Sequence, residues 1–211
     1  VKTVDMTDQE ATVVTVFEMP VSRIDEFADS WRADAEPLRA APGFRDVWLH
    51  RSIDAEARFP VVAVAHWDSA EQVVAEDIDI LPAEVRASSA TYETVHDFRS
   101  PEDRVFTGPG VTFMNIFEIE PGVVTEFAAN WADRARHMQR SAGFRNVRLH
   151  RSLTSDARFR LVNIAHWDSV QVWRKAAQSS PMTAATEAAR AQATPNTAIY
   201  EVVTGFGAMP R

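Results

Sequence analysis

The residues of this chain whose types could do chemistry come in pairs one hundred positions apart. His-Trp-Asp-Ser stands at 66–69 and again at 166–169, and His-Arg at 50–51 and 150–151. Asp68 and Asp168 follow strand-like runs and precede helix-like ones, with Glu71 and Gln171 at the reciprocal capping position, so helix capping explains them. Trp67 and Trp167 close their strands and suit either core packing or the wall of a flat-ligand pocket. His66 and His166 share strand parity with Val64 and Ile164; a hydrogen-bonded structural histidine is the simpler reading of each. No third ligand recurs at a metal-like spacing, so no metal is expected. Arg51 and Arg151 share parity with Leu49 and Leu149, and either cap an apolar cavity or form surface ion pairs. With no cysteine in the chain, thiolate catalysis, disulfides and cysteine metal sites are excluded.

The differences between the two copies carry more than the matches do. Asn115 replaces Thr15, Asn163 replaces Ala63 and Trp173 replaces Val73. Asn163 and Trp167 are four apart on one strand and face the same way. Asn115 shares parity with Phe113 and Phe117. Two amides beside flat apolar surfaces suit a planar, oxygenated ligand. The first copy keeps only Trp67 of this set and has an acidic stretch at Glu76, Asp77 and Asp79. If one copy holds a working pocket, it is the second; the alternative is drift after duplication.

The elements that must position these residues follow from the repeat. Residues 12–75 align without a gap on 112–175, with 25 of 64 positions identical. Tyr92-Glu93 then matches Tyr200-Glu201, an offset of 108. Alternation over 12–18 predicts a strand. Ser22, with Asp25 three residues on, predicts a helix start. Ile24, Phe27, Trp31, Ala35 and Leu38 form the buried stripe of an amphipathic helix, matched by Val124, Phe127, Trp131, Ala135 and Met138. Pro42-Gly43 and Ala142-Gly143 end those helices. Strands follow over 44–52 and up to His66-Trp67, then a second helix that Pro82 or Pro181 interrupts, then a last strand at 92–98 or 199–206. The order β-α-β-β-α-β is ferredoxin-like. The predicted fold is α+β: two such repeats packed sheet to sheet as an intrachain pseudo-dimer, since helices on one face leave the other sheet face bare. The domains are 1–98, a linker at 99–111 rich in Pro, Gly and mixed charge, and 112–211 with GFGAMP as a tail.

Composition narrows the function classes. Net charge is −8; residues 1–100 hold 9 basic and 20 acidic residues, and residues 101–211 hold 13 and 10. This charge, with no aromatic-interleaved basic stripe, argues against a nucleic-acid partner. No apolar run reaches eighteen residues and no secretory signal pattern opens the sequence, so neither a membrane nor export is expected and the cytoplasm is the default. Further pairing of whole chains is compatible with the sequence. There is no GxGxxG, P-loop, HExxH or GxSxG motif.

Each repeat resembles an antibiotic biosynthesis monooxygenase domain of the dimeric α+β barrel superfamily. The resemblance is carried by Phe-Glu ending the first strand (17–18, 117–118), by Phe27/Trp31 and Phe127/Trp131, by Gly-Phe at 43–44 and 143–144, by Leu-His-Arg-Ser, and by Trp-Asp-Ser at 67–69 and 167–169. It covers about 12–98 and 112–206. It implies an enzyme that oxidises polycyclic polyketide phenols to quinones with dioxygen and neither metal nor flavin, so no cofactor is expected. It implies a pocket between sheet and helices that contains an Asn and a Trp four apart on the third strand, which Asn163 and Trp167 match. Asn115 matches the first-strand Asn of a haem-degrading branch, but no histidine lies beyond 167 to hold the iron. The implied catalytic set is Asn163, Trp167, Arg151, Asn115 and His166, with Trp173, Phe117, Trp131 and Trp67 against the substrate. In that set Asn163 holds a phenolate oxygen, Trp167 and Trp173 sandwich the rings, and Arg151 supplies positive charge. His166 is a poor base, being of opposite strand parity to Asn163. Cyclases, isomerases and non-catalytic binding proteins of the same fold are the alternatives.

Overall fold

The computed structural model describes residues 10–74, 81–101, 108, 110–179, 187 and 189–207. The chain divides into two compact units: 1–93 with 202–211, and 94–201. The two long strands β4 (Arg86–Arg99) and β8 (Ala193–Phe206) each run from one unit into the other.

In the first unit, β1 (Ala11–Glu18) lies between β3 (Val61–Trp67) and the first part of β4, and β3 pairs on its other side with β2 (Phe44–Ser52). The end of β8 is the next neighbour of β2. The second unit repeats this with β5 (Val111–Ile119), β6 (Phe144–Ser152) and β7 (Leu161–Trp167), β8 beside β5 and the end of β4 beside β6. The hydrogen-bonded order β1-β3-β2-β8-β5-β7-β6-β4 closes on itself, so each of the described strands has a neighbour on both sides. The fold is α+β, with two ferredoxin-like repeats, as the repeat predicts. Thr12 pairs with Tyr92 and Thr112 with Tyr200, which matches the offset of 108 between the last strands.

Both first helices form because their apolar residues recur at three and four. Helix α1 (Ile24–Ala35) buries Ile24, Phe27, Ala28, Trp31 and Ala35; α2 (Val124–Met138) buries Val124, Phe127, Ala128, Trp131, Ala132 and Ala135. Asp25 and Glu26 in α1 and Glu126 in α2 favour their N-termini through the helix dipole. Ser22 is not the cap: it lies in a 3-10 turn, Val21–Arg23, that leads into α1. α1 ends at Ala35, and Leu38 continues the stripe from a 3-10 turn, Glu36–Ala40. Gly43 and Gly143 then turn the chain with φ of 77° and 76°, a left-handed conformation that favours glycine.

The second helices differ between the copies. α3 (Val170–Ala177) is capped by Ser169, whose hydroxyl accepts from the Val172 N–H, not by Asp168. The first copy has a 3-10 turn at Ala70–Gln72 in that place. Asp68 and Asp168 instead take Arg45 (2.6 Å) and Arg145 (2.8 Å) as partners. Pro82 follows no helix among the described residues; Pro181 and the acidic stretch at 76–79 lie outside them. Gly205 and Phe206 belong to β8 and not to a tail. A Cβ at Gly205 would sit 2.3 Å from the Val47 carbonyl, so only glycine permits this approach to β2. His96–Arg99 continue β4. No described helix is long and apolar enough to cross a membrane.

Candidate active site

A cavity of about 290 Å³ opens inside the second unit, at the lower end of small-molecule sites. Its floor is a row across three strands. Asn163 on β7 pairs in register with Asn115 on β5, and Asn115 with Thr197 on β8. Parity brings Phe113 and Phe117 of β5 and Pro195 of β8 to the same side. Helix α2 contributes Trp131, Arg134 and Met138, and α3 contributes Trp173 and Ala177. Trp173 stacks on Phe113, with centroids 4.8 Å apart and planes 30° apart, so one wall is a continuous aromatic surface. Trp131 on the helix side is backed by His96 at 6.1 Å and by Phe98 at 6.3 Å. Phe117 meets Phe127 edge to face at 4.8 Å.

Polar groups in this lining lack partners. The buried Oδ1 atoms of Asn115 and Asn163 and the buried Nε1 of Trp173 have no hydrogen-bond partner among the described residues. Leaving such groups unmet costs about 1–3 kcal/mol each, so they favour a ligand that meets them. The amide ends of Asn are interchangeable by rotation, so each can accept from a hydroxyl or donate to an oxyanion. Among the described residues the titratable lining side chains are Arg134 and Arg190, and none is acidic. The Arg134 guanidinium lies 5.1 Å above the Phe127 ring, and burial lowers its pKa from the usual arginine value. It remains protonated at ordinary pH.

The structure brings together five of the residues singled out from sequence: Asn115, Asn163, Trp173, Phe117 and Trp131. Trp167 is fully buried against Phe144, 5.3 Å and edge to face, and does not line the cavity, although its Nε1 is also unpartnered. Trp67 packs the same way on Phe44 in the first unit, at 5.4 Å. Arg151 and His166 are absent from the lining too. The His166 Nδ1 lies 2.8 Å from the Asn146 Oδ1, on the face opposite Asn163. Arg51, the counterpart of Arg151, pairs with Asp25 at 3.0 Å. Sequence reasoning missed Arg134 and Thr197. Arg134 stands where the first copy has Asp34, beside the apolar stripe; that reversal of charge was the available signal.

The antibiotic biosynthesis monooxygenase family profile matches residues 11–75 and 110–188. No curated protein matches the chain. Among solved structures, an anthrone oxidase-like protein superposes with a TM-score of 0.75 at 18% identity, covering 96% of this chain and 95% of that one. A protein of Fusobacterium nucleatum subsp. nucleatum that carries a provisional monooxygenase name superposes with a TM-score of 0.66 at 8% identity, covering 94% of each chain. SnoaB, a cofactor-independent oxygenase from Streptomyces nogalater, is 28% identical over 46% of this chain and 96% of its own, with a TM-score of 0.41. At these identities the first two likenesses speak to fold alone. The matched segments span more than half of the sequence, and the chain belongs to the antibiotic biosynthesis monooxygenase family, whose domain it carries twice in tandem.

Proposed function

We propose that the second unit oxidises a planar aromatic phenol of polyketide type with dioxygen, without a cofactor. One observation carries the reading: the paired Asn115 and Asn163, with unmet amide oxygens, form the floor of an aromatic-walled cavity. Family membership and the name of the anthrone oxidase-like protein point to the same chemistry.

In this reading the substrate supplies the redox chemistry. A phenol loses a proton, and the electron-rich phenolate passes one electron to dioxygen. The phenolate is that of the enol tautomer, in which the former ring CH₂ has given up one hydrogen and is a CH. The radical and superoxide combine at this carbon, and the peroxide takes up a proton to give a hydroperoxide. Loss of water, which breaks the remaining C–H and the O–O bond, leaves a carbonyl. One dioxygen is consumed, one of its oxygens stays in the quinone and the other leaves as water. The protein orients and stabilises. Asn163 and Asn115 hold the phenolic oxygen, first accepting from O–H and then, turned, donating to the oxyanion. The Trp173 N–H meets a second ring oxygen, and the Phe113–Trp173 surface and Trp131 hold the ring planes. No lining side chain among the described residues is a base, so the proton leaves to water. Arg151, His166 and Trp167 have no direct part; Trp167 fixes the end of β7.

An oxygen-electrode trace with 1,8-dihydroxyanthrone, protein alone and no additive, tests this. Uptake of one dioxygen per quinone formed is expected. Conversion that continues without oxygen identifies a cyclase or isomerase; binding without conversion identifies a binding protein. Either result ends the oxygenase reading.

A further inference from the structure

The cavity carries positive charge that the oxidation chemistry does not require. Among the described residues its charged lining side chains are Arg134 and Arg190, and none is acidic. Arg134 is half-buried, and no carboxylate lies within ion-pair distance of it among the described residues. Its described contact is the face of Phe127. The acids of its own helix are engaged elsewhere: Asp133 pairs with Arg136, and Glu126 accepts from Gln192 at 3.2 Å. At the matching position the first copy has Asp34, which is exposed.

We propose that the ligand of this cavity carries a carboxylate on its planar aromatic frame and that Arg134 selects it. The proposal rests on the reading that the cavity takes a planar aromatic. A desolvated guanidinium without a counter-ion gains most from an anion, and its planar fork matches a carboxylate in two parallel hydrogen bonds. The asparagine row already accounts for a phenolic oxygen, so the anion is a second group. A carboxylate also fits a small, mostly apolar cavity better than a bulkier phosphate or sulfate ester does. Arg190, exposed, attracts the anion without deciding its seat.

Equilibrium titration of the full chain by tryptophan quenching, with Trp131 and Trp173 as reporters, tests this without any turnover. The probes are anthraquinone-2-carboxylate and the neutral 2-(hydroxymethyl)anthraquinone. The carboxylate should bind about tenfold tighter. Arg134→Gln should remove that preference, with the loss falling on the carboxylate probe, and Arg134→Lys should keep most of it. Circular dichroism of each variant should match the parent. Equal affinity of the parent for both probes, no binding of either, or a preference that survives Arg134→Gln overturns the proposal; a preference lost in Arg190→Gln instead assigns selection to the other arginine and also overturns it. Oxygen uptake separates the two readings: a charge preference with no uptake ends the oxygenase reading alone, and uptake with no preference ends this one alone.

Discussion

The same three-strand row is built twice, with different chemistry. In the first unit it reads Ala63, Thr15, Ser89, and the Thr15 and Ser89 hydroxyls bond each other at 2.8 Å. In the second it reads Asn163, Asn115, Thr197, and both amide oxygens are buried without a partner. The register is identical, so the scaffold does not cause the difference. A row that serves only folding closes its own hydrogen bonds. A row held open carries a cost of about 1–3 kcal/mol per group that folding alone does not offset. The neighbouring helix position changes from Asp34 to Arg134 in step. On the proposed reading the first row is scaffold and the second is the floor of a site, and each can be perturbed separately.

The largest expected effect concerns the scaffold. His50 on β2 is buried, its Nδ1 lies 3.0 Å from the Trp48 carbonyl oxygen, and burial pushes its pKa down to about 4. The unfolded chain takes up that proton near pH 6.5. Between these values the unfolded state binds more protons, so stability falls as pH drops through the window. It is complete above 6.5 and reduced by up to about 3 kcal/mol near pH 4. Urea unfolding from pH 7 to 4, followed by circular dichroism, should show this slope, and His50→Gln should flatten it. An unchanged slope in the variant would remove His50 as its source.

At the site itself, Asn163→Ala should lower oxygen uptake roughly a hundredfold, the usual result of losing a donor that serves the transition state. Ala63→Gly at the matching position should leave uptake nearly unchanged, costing about 1 kcal/mol of strand stability. Side-by-side rates and melting temperatures check both. Equal rates in the two variants would reduce the contrast between the rows to drift.

Most of the fold was legible because it is written twice at low resolution: strand alternation, two helical stripes and the Gly-Phe turns recur in register. The cavity floor was legible for the same reason, since Asn163 and Asn115 break an otherwise matched pattern. What escaped depends on side-chain direction and competition between partners. Asp168 has cap-like spacing, but Arg145 reaches it first, and Ser169 takes the cap. Trp167 has the parity of Asn163, yet Phe144 covers it at the strand end. Arg134 lies just off the apolar stripe, where sequence favours solvent; only packing shows it over Phe127.

The second helices offer a smaller contrast. Ser169 caps α3 through the Val172 N–H, whereas Ser69 makes no cap bond and instead bonds the Gln72 side chain at 3.2 Å. Ser169→Ala should therefore cost about 1 kcal/mol, and Ser69→Ala clearly less. Chemical denaturation of both variants measures it. Equal losses would mean that the hydroxyls act by something other than capping.

The smallest effect is the sharpest in sign. Thr15→Val keeps shape and strand propensity but removes the Thr15–Ser89 bond. Since Ser89 is exposed and water can replace the lost partner, the cost should be only about 0.5 kcal/mol. Asn115→Val at the matching position removes an amide oxygen that has no partner and adds a β-branched side chain to a strand. Stability there should hold or rise by about 0.5 kcal/mol, while affinity for a planar phenol falls. Melting curves with and without 1,8-dihydroxyanthraquinone resolve the two. The ligand should raise the melting temperature of Thr15→Val as it does the parent's, and should do much less for Asn115→Val. Losses of the same sign in both variants would mean that Asn115 supports the sheet as Thr15 does, and the row in the second unit would then be structural rather than a surface held open for a ligand.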